Sequence, residues 1–411
     1  MRRLMAMLLA VCVLLAGCVA ENGPKKYEKA YFTAFDTYTT ITGYAASQQE
    51  WDQVADALYD QLWQYHQLFD IYKEYDGINN LKTVNDHAGI APVQVDGRII
   101  ALLLDCREFY EASGGLVNVA MGSILRLWHD SRAAGLADPE NACLPDAAAL
   151  AEAAKHTSWD GVIIDEEQAT VYLADPAMSL DVGAVAKGWA TQRVAEEAPS
   201  GVLLNVGGNI CATGPKIDGG AWNVGVQDPD DSSRYLCSRK IETGSMVTSG
   251  DYQRFYAVEG TKYHHIIDPE TGYPATYWRS VTVVCANSGV ADMLSTALFL
   301  LPLEEGKVLL AKYGAEAMWV DAQGQFISYN CKLLFPAFLF FLCLVKALGS
   351  GINSEKFYRE DSFFSSASDA VSMRCFFKQF IFPTLISFFS IIIYMTPTSI
   401  PFSCLFFSVF Q

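Results

Sequence analysis

The chain of 411 residues is long enough for about two or three domains of ordinary size. Hydrophobic residues make up 51% of it and charged residues only 18%, which excludes an intrinsically disordered or low-complexity protein. The formal net charge of −17 argues against nucleic acid as a partner, since proteins that bind it without regard to sequence carry basic patches.

The N-terminus has the features of a bacterial export signal. Arginines precede the apolar run 4–15, and Cys18 directly follows a Leu-Ala-Gly sequence. This pattern resembles a lipobox, so we expect residues 1–17 to be a lipoprotein signal peptide and 18–26 to be a lipidated cysteine and tether. The implied protein is exported and anchored to the bacterial cell membrane through Cys18. An ordinary cleaved signal or a membrane-anchoring helix is the alternative.

The first half of the body predicts one strand followed by helices. Apolar and polar residues alternate over 27–45, which is typical of a strand. Ser47 and Glu50 form a capping box, which predicts a helix whose apolar face comprises Trp51, Val54, Leu58, Leu62, Tyr65 and Phe69. Two further helices are predicted at 95–113 and 146–156.

The second half predicts short strands joined by glycine-rich turns, together with three helices. The strands are expected at 161–165, 169–173, 201–206, 221–227, 254–258, 263–267 and 280–286, with a last hairpin within 317–328. The helices are expected at 184–198, 291–301 and 303–313. Because strands and helices mix without a regular βαβ alternation, the predicted class is α+β rather than a doubly wound sheet.

The body contains five cysteines, at positions 106, 143, 211, 237 and 285. Their number is odd and no C-x-x-C pair occurs among them. The sequence therefore predicts single thiols rather than a disulfide framework or a zinc site.

The composition changes near residue 330. Of 24 Phe, 17 lie after this point, whereas all 8 Trp lie at or before Trp319. Residues 27–330 are therefore predicted to form the functional domain, and the Phe-rich tail 331–411 is expected to have no catalytic role. The tail has two apolar runs that are short for membrane helices. It is either a pair of membrane segments or non-native sequence, for example from a shifted reading frame or a fusion.

A segment suited to phosphate binding precedes the helix predicted at 184–198. Asp181 and Lys187 flank small residues that would let a ligand approach the backbone closely. A helix N-terminus favours anions, and the lysine can neutralise a phosphate. The segment is not a Walker A loop, because G-x-x-x-x-G-K-[ST] is absent. An N-capped helix that packs through Ala and Gly would show the same pattern.

Two further segments combine glycine turns with polar side chains. Gly207 and Gly208 follow a predicted strand and form either an anion-binding nest or a plain tight turn. His264 and His265 have no third histidine at helical spacing, so a zinc site is not expected. Such histidines are either structural, or act as a general acid/base or phosphate contact.

The helix predicted at 291–301 carries oxygen ligands on one face. Asp292, Ser295 and Thr296 are spaced i, i+3 and i+4. A carboxylate and hydroxyls suit Mg²⁺, whose remaining positions are filled by water and substrate phosphates. The alternative is an ordinary helix N-terminus in which the aspartate faces the helix dipole.

No single motif decides the function, but their order resembles the ApbE family, the FAD:protein FMN transferases. The matching segments are 35–37, 69–72 with Asn85, 115–122 with Leu127-Trp128, 181–188, 205–209, 248–251, 265–274 and 292–297. They span nearly all of the body. The resemblance implies a mixed α/β sandwich related to tetrahydrobiopterin-synthesis enzymes, the T-fold.

The same resemblance implies a reaction. The protein would transfer the FMN moiety of FAD onto a Thr or Ser hydroxyl of a target protein, with Mg²⁺ as cofactor and AMP as the released product. The implied acceptors are exported or membrane flavin-carrying redox proteins. Two alternatives remain: a lipoprotein that binds or hydrolyses FAD, and a non-enzymatic adhesin or solute-binding lipoprotein.

The resemblance also implies site residues. FAD contacts are expected at Phe35, Tyr72, Asn118, Val119, Ala120, Asp181, Lys187, His265 and Ile266. Metal ligands are expected at Ala184, through its carbonyl, and at Asp292, Ser295 and Thr296. His265 or Asp251 would accept the proton of the incoming hydroxyl. The sequence departs from the family pattern at Asp36, which replaces the Gly of Met-Gly-Thr, and at 77–80, where relatives often have Ser-x-Ile-Ser.

Overall fold

The computed structural model describes residues 23–330. The predicted signal peptide, the predicted lipidation site Cys18 and the tail 331–411 lie outside the described residues. Within the described part, no helix has both the length and the apolar character needed to cross a membrane.

The described residues form fifteen strands and eight α-helices. The strands are β1 (Lys25–Tyr31), β2 (Thr39–Ala45), β3 (Val93–Gln94), β4 (Val162–Asp165), β5 (Thr170–Leu173), β6 (Leu203–Val206), β7 (Asn209–Ala212), β8 (Trp222–Gln227), β9 (Tyr235–Ile241), β10 (Gly244–Gly250), β11 (Phe255–Val258), β12 (Thr261–His264), β13 (Trp278–Cys285), β14 (Glu316–Asp321) and β15 (Phe326–Asn330). The helices are α1 (Gln48–Phe69), α2 (Leu81–Asp86), α3 (Gly97–Ala112), α4 (Gly122–Ala137), α5 (Ala147–Ala153), α6 (Ala186–Glu197), α7 (Ser288–Phe299) and α8 (Leu303–Tyr313).

An eight-stranded antiparallel sheet organises the fold. Its strand order is β1-β2-β6-β7-β10-β13-β14-β15. Successive side chains of a strand point to opposite faces, so both faces of this sheet need a cover. Met246 and Met318 belong to one buried cluster, whereas their neighbours Val247 and Trp319 belong to another.

Helices cover the Val247 face, and a hairpin covers the other. Helix α7 packs against α6, β10 and β13, and ten of its twelve residues are buried. On the Met246 face, the β8-β9 hairpin contributes the apolar side chains Trp222, Val224, Val226 and Ile241. The architecture is a mixed α+β sandwich, as the sequence predicts.

A third cluster of buried apolar side chains is separate from the main core, and some of its residues line the cleft described in the next section. Helices α4 and α5 and the two-stranded ribbon β11-β12 enclose Met121, Ile124, Trp128, Leu150, Tyr256 and Ile267. The Trp128 indole nitrogen donates to the carbonyl of Gly272 at 2.8 Å, which ties α4 to the turn after the histidine pair.

The predicted helices largely match the structure, whereas several strands and two helices were missed. The Ser47 hydroxyl accepts a hydrogen bond from the Glu50 backbone at the start of α1, as the capping box predicts. The single strand predicted over 27–45 is wrong, because a turn at Ala34–Asp36 divides it into β1 and β2. Helix α4 was missed, since its N-cap Met121 offers no side-chain cap. Helix α2 and strands β3, β7, β9 and β10 were also missed.

Cys106, Cys143, Cys211 and Cys237 form no disulfide within the described part of the chain, as predicted. Cys106 and Cys211 are buried, and burial raises the pKa of both thiols. These two side chains therefore behave as small apolar groups in the core.

Candidate active site

A cleft of about 250 Å³ lies where α6 and α7 meet the loops at Phe35, Tyr72 and Asn118 and the turn at His265. It brings together residues from segments distant in the sequence. Of the residues predicted for the site, those that line the cleft are Phe35, Tyr72, Asn118, Val119, Asp181, Ala184, Lys187, His265, Ile266, Asp292 and Thr296. Ala120, Asp251 and Ser295 are not among the lining residues.

A buried carboxylate forms part of this cleft. Asp292 is 4% exposed, and its Oδ2 accepts a hydrogen bond of 2.8 Å from the backbone N–H of Gly188. The Nζ of Lys187 lies 4.0 Å from the same oxygen. Burial raises the pKa of Asp292, against the opposing effects of Lys187 and the Gly188 N–H. A cation bound in the cleft would offset this effect of burial and stabilise the charged form of Asp292.

The donor set around Asp292 fits Mg²⁺. The Thr296 hydroxyl and the Ala184 carbonyl belong to residues of the same cleft. Across residues 23–330, no three His, Cys, Asp or Glu side chains converge to form a metal cage. Mg²⁺ does not need one, since it is usually held by one or two carboxylates together with waters and substrate phosphates.

Asn209 on β7 also contacts this carboxylate. With its side-chain nitrogen turned toward Asp292, the Asn209 amide donates to the two carboxylate oxygens at 3.2 and 3.3 Å. This contact helps to fix the orientation of Asp292. Asn209 follows the glycine pair directly, and the local sequence gives no sign of this contact.

Ser295 has a structural role here instead of the predicted ligand role. Its side chain is fully buried, and its hydroxyl is 2.8 Å from the Ser249 hydroxyl and donates to the Asp292 carbonyl at 2.9 Å. The bond to Ser249 connects α7 to β10, and the bond to Asp292 lies within α7. The helical spacing that grouped Ser295 with Asp292 and Thr296 gave no information about which side of the helix the sheet would cover.

Gly188 allows α6 to lie directly against Asp292. A Cβ at this position would contact the Asp292 Cβ and would lie 2.6 Å from the Ser288 carbonyl. We expect Gly188→Ala to lower the free energy of unfolding by about 1–3 kcal/mol through overpacking, as measured by urea denaturation. Gly97→Ala is the matched control, because a Cβ there meets nothing within 4 Å in α3. A Gly188→Ala protein as stable as the Gly97→Ala protein would contradict this packing.

The two adjacent histidines have different roles. His264 uses both ring nitrogens, since Nε2 donates to the Ala275 carbonyl at 2.8 Å and Nδ1 accepts from the Ile266 N–H at 3.2 Å. It is a structural histidine. His265 lines the cleft, and its Nδ1 lies 3.2 Å from the Arg254 carbonyl. Because a carbonyl only accepts, Nδ1 carries the proton and Nε2 keeps a free lone pair.

The surroundings of His265 keep it neutral. Burial and the nearby cations, first among them Arg254, lower the pKa of His265 to about 3. In the neutral imidazole Nε2 is unprotonated, so this is the ring atom that can accept a proton.

Asp251, the other predicted base, is held elsewhere. Its Oδ2 lies 3.3 Å from the guanidinium of Arg279, which also pairs with Asp230 at 2.5 Å. The Asp251 backbone N–H donates to the Arg279 carbonyl at 3.0 Å. The structure thus places Asp251 in an ion-pair network beside β13, and only His265 of the two candidates lines the cleft.

Tyr72 and His129 form an aromatic pair in the wall of the cleft. The Tyr72 ring is stacked on His129, with centroids 4.9 Å apart and planes 29° apart. Its hydroxyl lies 3.3 Å from His129 Nδ1, and Arg132 contacts the same nitrogen at 3.3 Å. Tyr72 remains 53% exposed, so much of its ring is free to contact a ligand.

The loop at Asn118 shapes the wall through its backbone. The Asn118 amide donates to the Thr157 carbonyl at 3.0 Å and accepts from the Ala120 N–H at 2.9 Å. The Val119 carbonyl accepts from the Asp181 N–H at 2.8 Å. These bonds fix the position of Asp181, whereas Ala120 is buried behind the wall.

Asp181 is a second carboxylate of the cleft. Its Oδ1 accepts from the Gly183 N–H at 2.8 Å, and burial raises its pKa. His129, Arg254 and Arg132 oppose this rise. The charged side chains that act on Asp181 are thus all positive, although burial has the larger effect on its pKa.

Comparison with known proteins identifies the family. The model of the ApbE family matches residues 35–319. The chain belongs to the ApbE family. It is 37% identical over 261 residues to the FAD:protein FMN transferase of Treponema pallidum, covering 58% of this chain and 70% of that protein. It is 31% identical over 252 residues to an FAD:protein FMN transferase of Klebsiella pneumoniae, covering 58% of this chain and 76% of that protein.

Solved structures agree with this assignment. The ApbE protein from Thermotoga maritima superposes with a TM-score of 0.66 at 29% sequence identity, covering 76% of this chain and 99% of that one. The flavin transferase ApbE from Vibrio cholerae superposes with a TM-score of 0.61 at 20% identity, which supports the fold.

The departure of this ApbE-family chain at Asp36 has a conformational explanation. Phe35 and Asp36 have φ of 56° and 49°, in the left-handed region that glycine adopts most readily. The turn therefore keeps a glycine-like backbone although residue 36 has a side chain. Both residues line the cleft.

Several cleft residues were missed in the sequence. Arg132 and His129 lie on helix α4, whose i, i+3 spacing would have placed them on one face had the helix been recognised. Arg254 lies just before β11. Burial and the charge of Arg254 lower the pKa of Arg132, and both arginines line the cleft. Together with Lys187, they supply positive charge to the cleft of a strongly acidic protein.

Proposed function

We propose that this ApbE-family protein transfers the FMN moiety of FAD to a Thr or Ser hydroxyl of an acceptor protein, with Mg²⁺ as cofactor and AMP as the other product. The observation that carries the proposal is the buried Asp292, which lies beside Lys187, the Gly188 N–H and Thr296 in one cleft. A carboxylate and hydroxyl for a metal, next to a cation for phosphate, are what diphosphate cleavage requires. The names of the relatives support the same activity.

The residues of the cleft divide the work of this reaction. Asp292, Thr296 and the Ala184 carbonyl would hold Mg²⁺, which when bound neutralises charge on the diphosphate. Lys187 would contact a phosphate oxygen, and Tyr72 would stack on the flavin. Their contribution is chiefly to orient FAD so that the phosphorus of its FMN half faces the incoming hydroxyl.

His265 would take the proton in the transfer step. The hydroxyl oxygen of the acceptor forms a bond to the phosphorus of the FMN half, while the bond from that phosphorus to the bridging oxygen breaks. AMP leaves with the bridging oxygen. The hydroxyl proton passes to Nε2 of His265, the nitrogen that the Arg254 carbonyl leaves free.

The location and the acceptors belong to the same proposal. The basic and apolar N-terminus followed by Leu-Ala-Gly-Cys supports export and anchoring to the cell membrane through lipidated Cys18. The acceptors would then be exported or membrane redox proteins that carry FMN covalently.

The decisive test is an incubation of the protein with FAD, Mg²⁺ and candidate acceptors, followed by mass spectrometry. We expect FMN bound covalently to a Thr or Ser of one acceptor, with one AMP released for each FMN attached. Omission of Mg²⁺ or its removal with EDTA should abolish both products. Free FMN and AMP without a modified acceptor would instead support FAD hydrolysis. If no AMP is released and no FMN is either freed or attached, both functions are contradicted.

A further inference from the structure

The turn that carries Phe35 is held in an unfavourable backbone conformation. Phe35 has φ 56° and ψ 25°, and Asp36 follows with φ 49°. Two consecutive residues with a Cβ seldom occupy the left-handed region, and they persist there only when their surroundings hold them. This turn therefore needs an anchor, and it lies in the wall of the cleft.

The anchor is a histidine of α1. The Phe35 N–H donates to Nδ1 of His66 at 3.2 Å, and the two rings meet edge to face with centroids 5.7 Å apart. His66 is 6% exposed. One residue earlier, the Ala34 N–H donates to the Tyr59 hydroxyl at 3.1 Å. Helix α1 thus holds the turn through two side chains.

The other nitrogen of His66 continues the hydrogen bonds toward the Tyr72 loop. Nε2 lies 3.2 Å from the Tyr75 hydroxyl, which donates to Oδ2 of Asp70 at 2.8 Å. Oδ1 of Asp70 accepts from the backbone N–H groups of Tyr72 at 2.7 Å and Lys73 at 3.1 Å. We call this series of hydrogen bonds the relay; it runs from Phe35 through His66, Tyr75 and Asp70 to Tyr72.

The donors in the relay have one consistent direction. A backbone N–H only donates, so Nδ1 of His66 must be the acceptor for Phe35. The neutral ring then carries its proton on Nε2 and donates it in a hydrogen bond to the Tyr75 oxygen. The Tyr75 hydroxyl in turn donates a hydrogen bond to Asp70. Each group is satisfied only while His66 is neutral, in this one tautomer.

We propose that His66 is a positioning residue, which through the relay couples the turn carrying Phe35 to the loop carrying Tyr72 and so presets the two walls between which the flavin binds. The identity of the ligand as FAD rests on the proposed function. The coupling itself rests on the hydrogen bonds and on the strained turn.

The charges around His66 determine when the relay is intact. Burial lowers the pKa of His66, and Lys73 acts in the same direction, whereas Asp70 and Asp36 raise it. Tyr75 is the remaining titratable group in contact, and burial and Asp70 raise its pKa, so it stays protonated. His66 is therefore neutral at pH 7. In acid its protonation replaces the acceptor at Nδ1 with a donor and releases Phe35.

Two substitutions at His66 test its two hydrogen bonds one at a time. In His66→Asn, the side-chain oxygen takes the place of Nδ1 and can still accept from Phe35. In His66→Gln, the amide takes the place of Nε2 and can still contact Tyr75, but the acceptor for Phe35 is lost. Both remove a buried ring, so general packing effects are matched.

The experiment compares these full-length variants with the wild type in FAD binding and in amide hydrogen exchange of the ligand-free protein. We expect His66→Gln to weaken FAD binding at least tenfold and to speed exchange of segment 33–37, with α3 as the unaffected reference. His66→Asn should recover most of the affinity. We also expect the wild type to lose affinity in acid as His66 becomes protonated, and His66→Asn to remove this loss.

Relief of strain gives a second test. Asp36→Gly favours the left-handed backbone without an anchor, so we expect it to restore FAD affinity when added to His66→Gln. Equal defects in His66→Asn and His66→Gln, or no restoration by Asp36→Gly, would overturn the relay. If the wild type does not bind FAD, the proposed function fails. The exchange of segment 33–37 still decides whether His66 holds the turn.

Discussion

Replacing Asp292 with asparagine is expected to reduce FMN transfer about a thousandfold while leaving the protein folded. The substitution keeps the shape and an acceptor for the Gly188 N–H but removes the charge that would hold Mg²⁺. Charge stabilisation by a metal contributes several kcal/mol, and each 1.4 kcal/mol is worth about a factor of ten in rate. The rate of FMN attachment to the acceptor is the measurement.

Two controls make this result specific. Asp105→Asn changes a carboxylate that accepts from the Trp189 indole at 2.7 Å and does not line the cleft, so transfer should stay close to wild type. Thermal unfolding with FAD, with and without Mg²⁺, should show a metal-dependent stabilisation in the wild type and none in Asp292→Asn. An Asp292→Asn protein with wild-type transfer in Mg²⁺ would refute the metal assignment.

Replacing His265 with alanine is expected to lower the rate of transfer by about 10²–10⁴, the usual contribution of a general base. FAD binding should change only a few-fold, because the substitution removes a proton acceptor rather than the metal or aromatic contacts. His87→Gln is the control, since His87 is exposed and its Nδ1 lies 2.8 Å from the Thr83 carbonyl, outside the cleft. Loss of transfer explained entirely by lost FAD affinity would contradict the role as base.

The pH dependence gives an independent check on His265. Its pKa in the folded protein is lowered to about 3, whereas an unfolded chain has the ordinary value near 6.5. As the pH falls through this window, the unfolded chain takes up a proton that the folded protein does not. The free energy of unfolding should therefore fall with it. Urea denaturation between pH 7 and 4 should show a smaller loss of stability in His265→Ala than in the wild type.

The parts of the fold that the sequence predicts well are those with strong local signals. Helix α1 has the sequence pattern of a capping box and a continuous apolar face, and α8 follows Pro302 and is followed by Gly314, which adopts the left-handed conformation. Helix α7 was also found, although its apolar residues surround it on nearly all sides. In each case the deciding interactions lie within a few residues along the chain.

The parts that were missed depend on contacts between distant segments. The turn at Phe35 lies inside an alternating pattern, and its conformation is held by a residue of α1 that the local sequence does not reveal. Asp251 and His265 were equivalent as candidate bases until Arg279 was placed beside Asp251. Ser295 matched a metal-binding spacing, but Ser249 of the sheet occupies its hydroxyl.

The start of β1 has a consequence for where the enzyme can act. The strand begins at Lys25, and if Cys18 is lipidated as proposed, the seven intervening peptide units span at most about 25 Å. This length is comparable to the radius of a domain of this size. An enzyme held by so short a tether would reach only a thin layer above the bilayer. With this anchor, its acceptors would have to bring their hydroxyl into that layer, and a diffusing protein that stays away from the surface would escape modification.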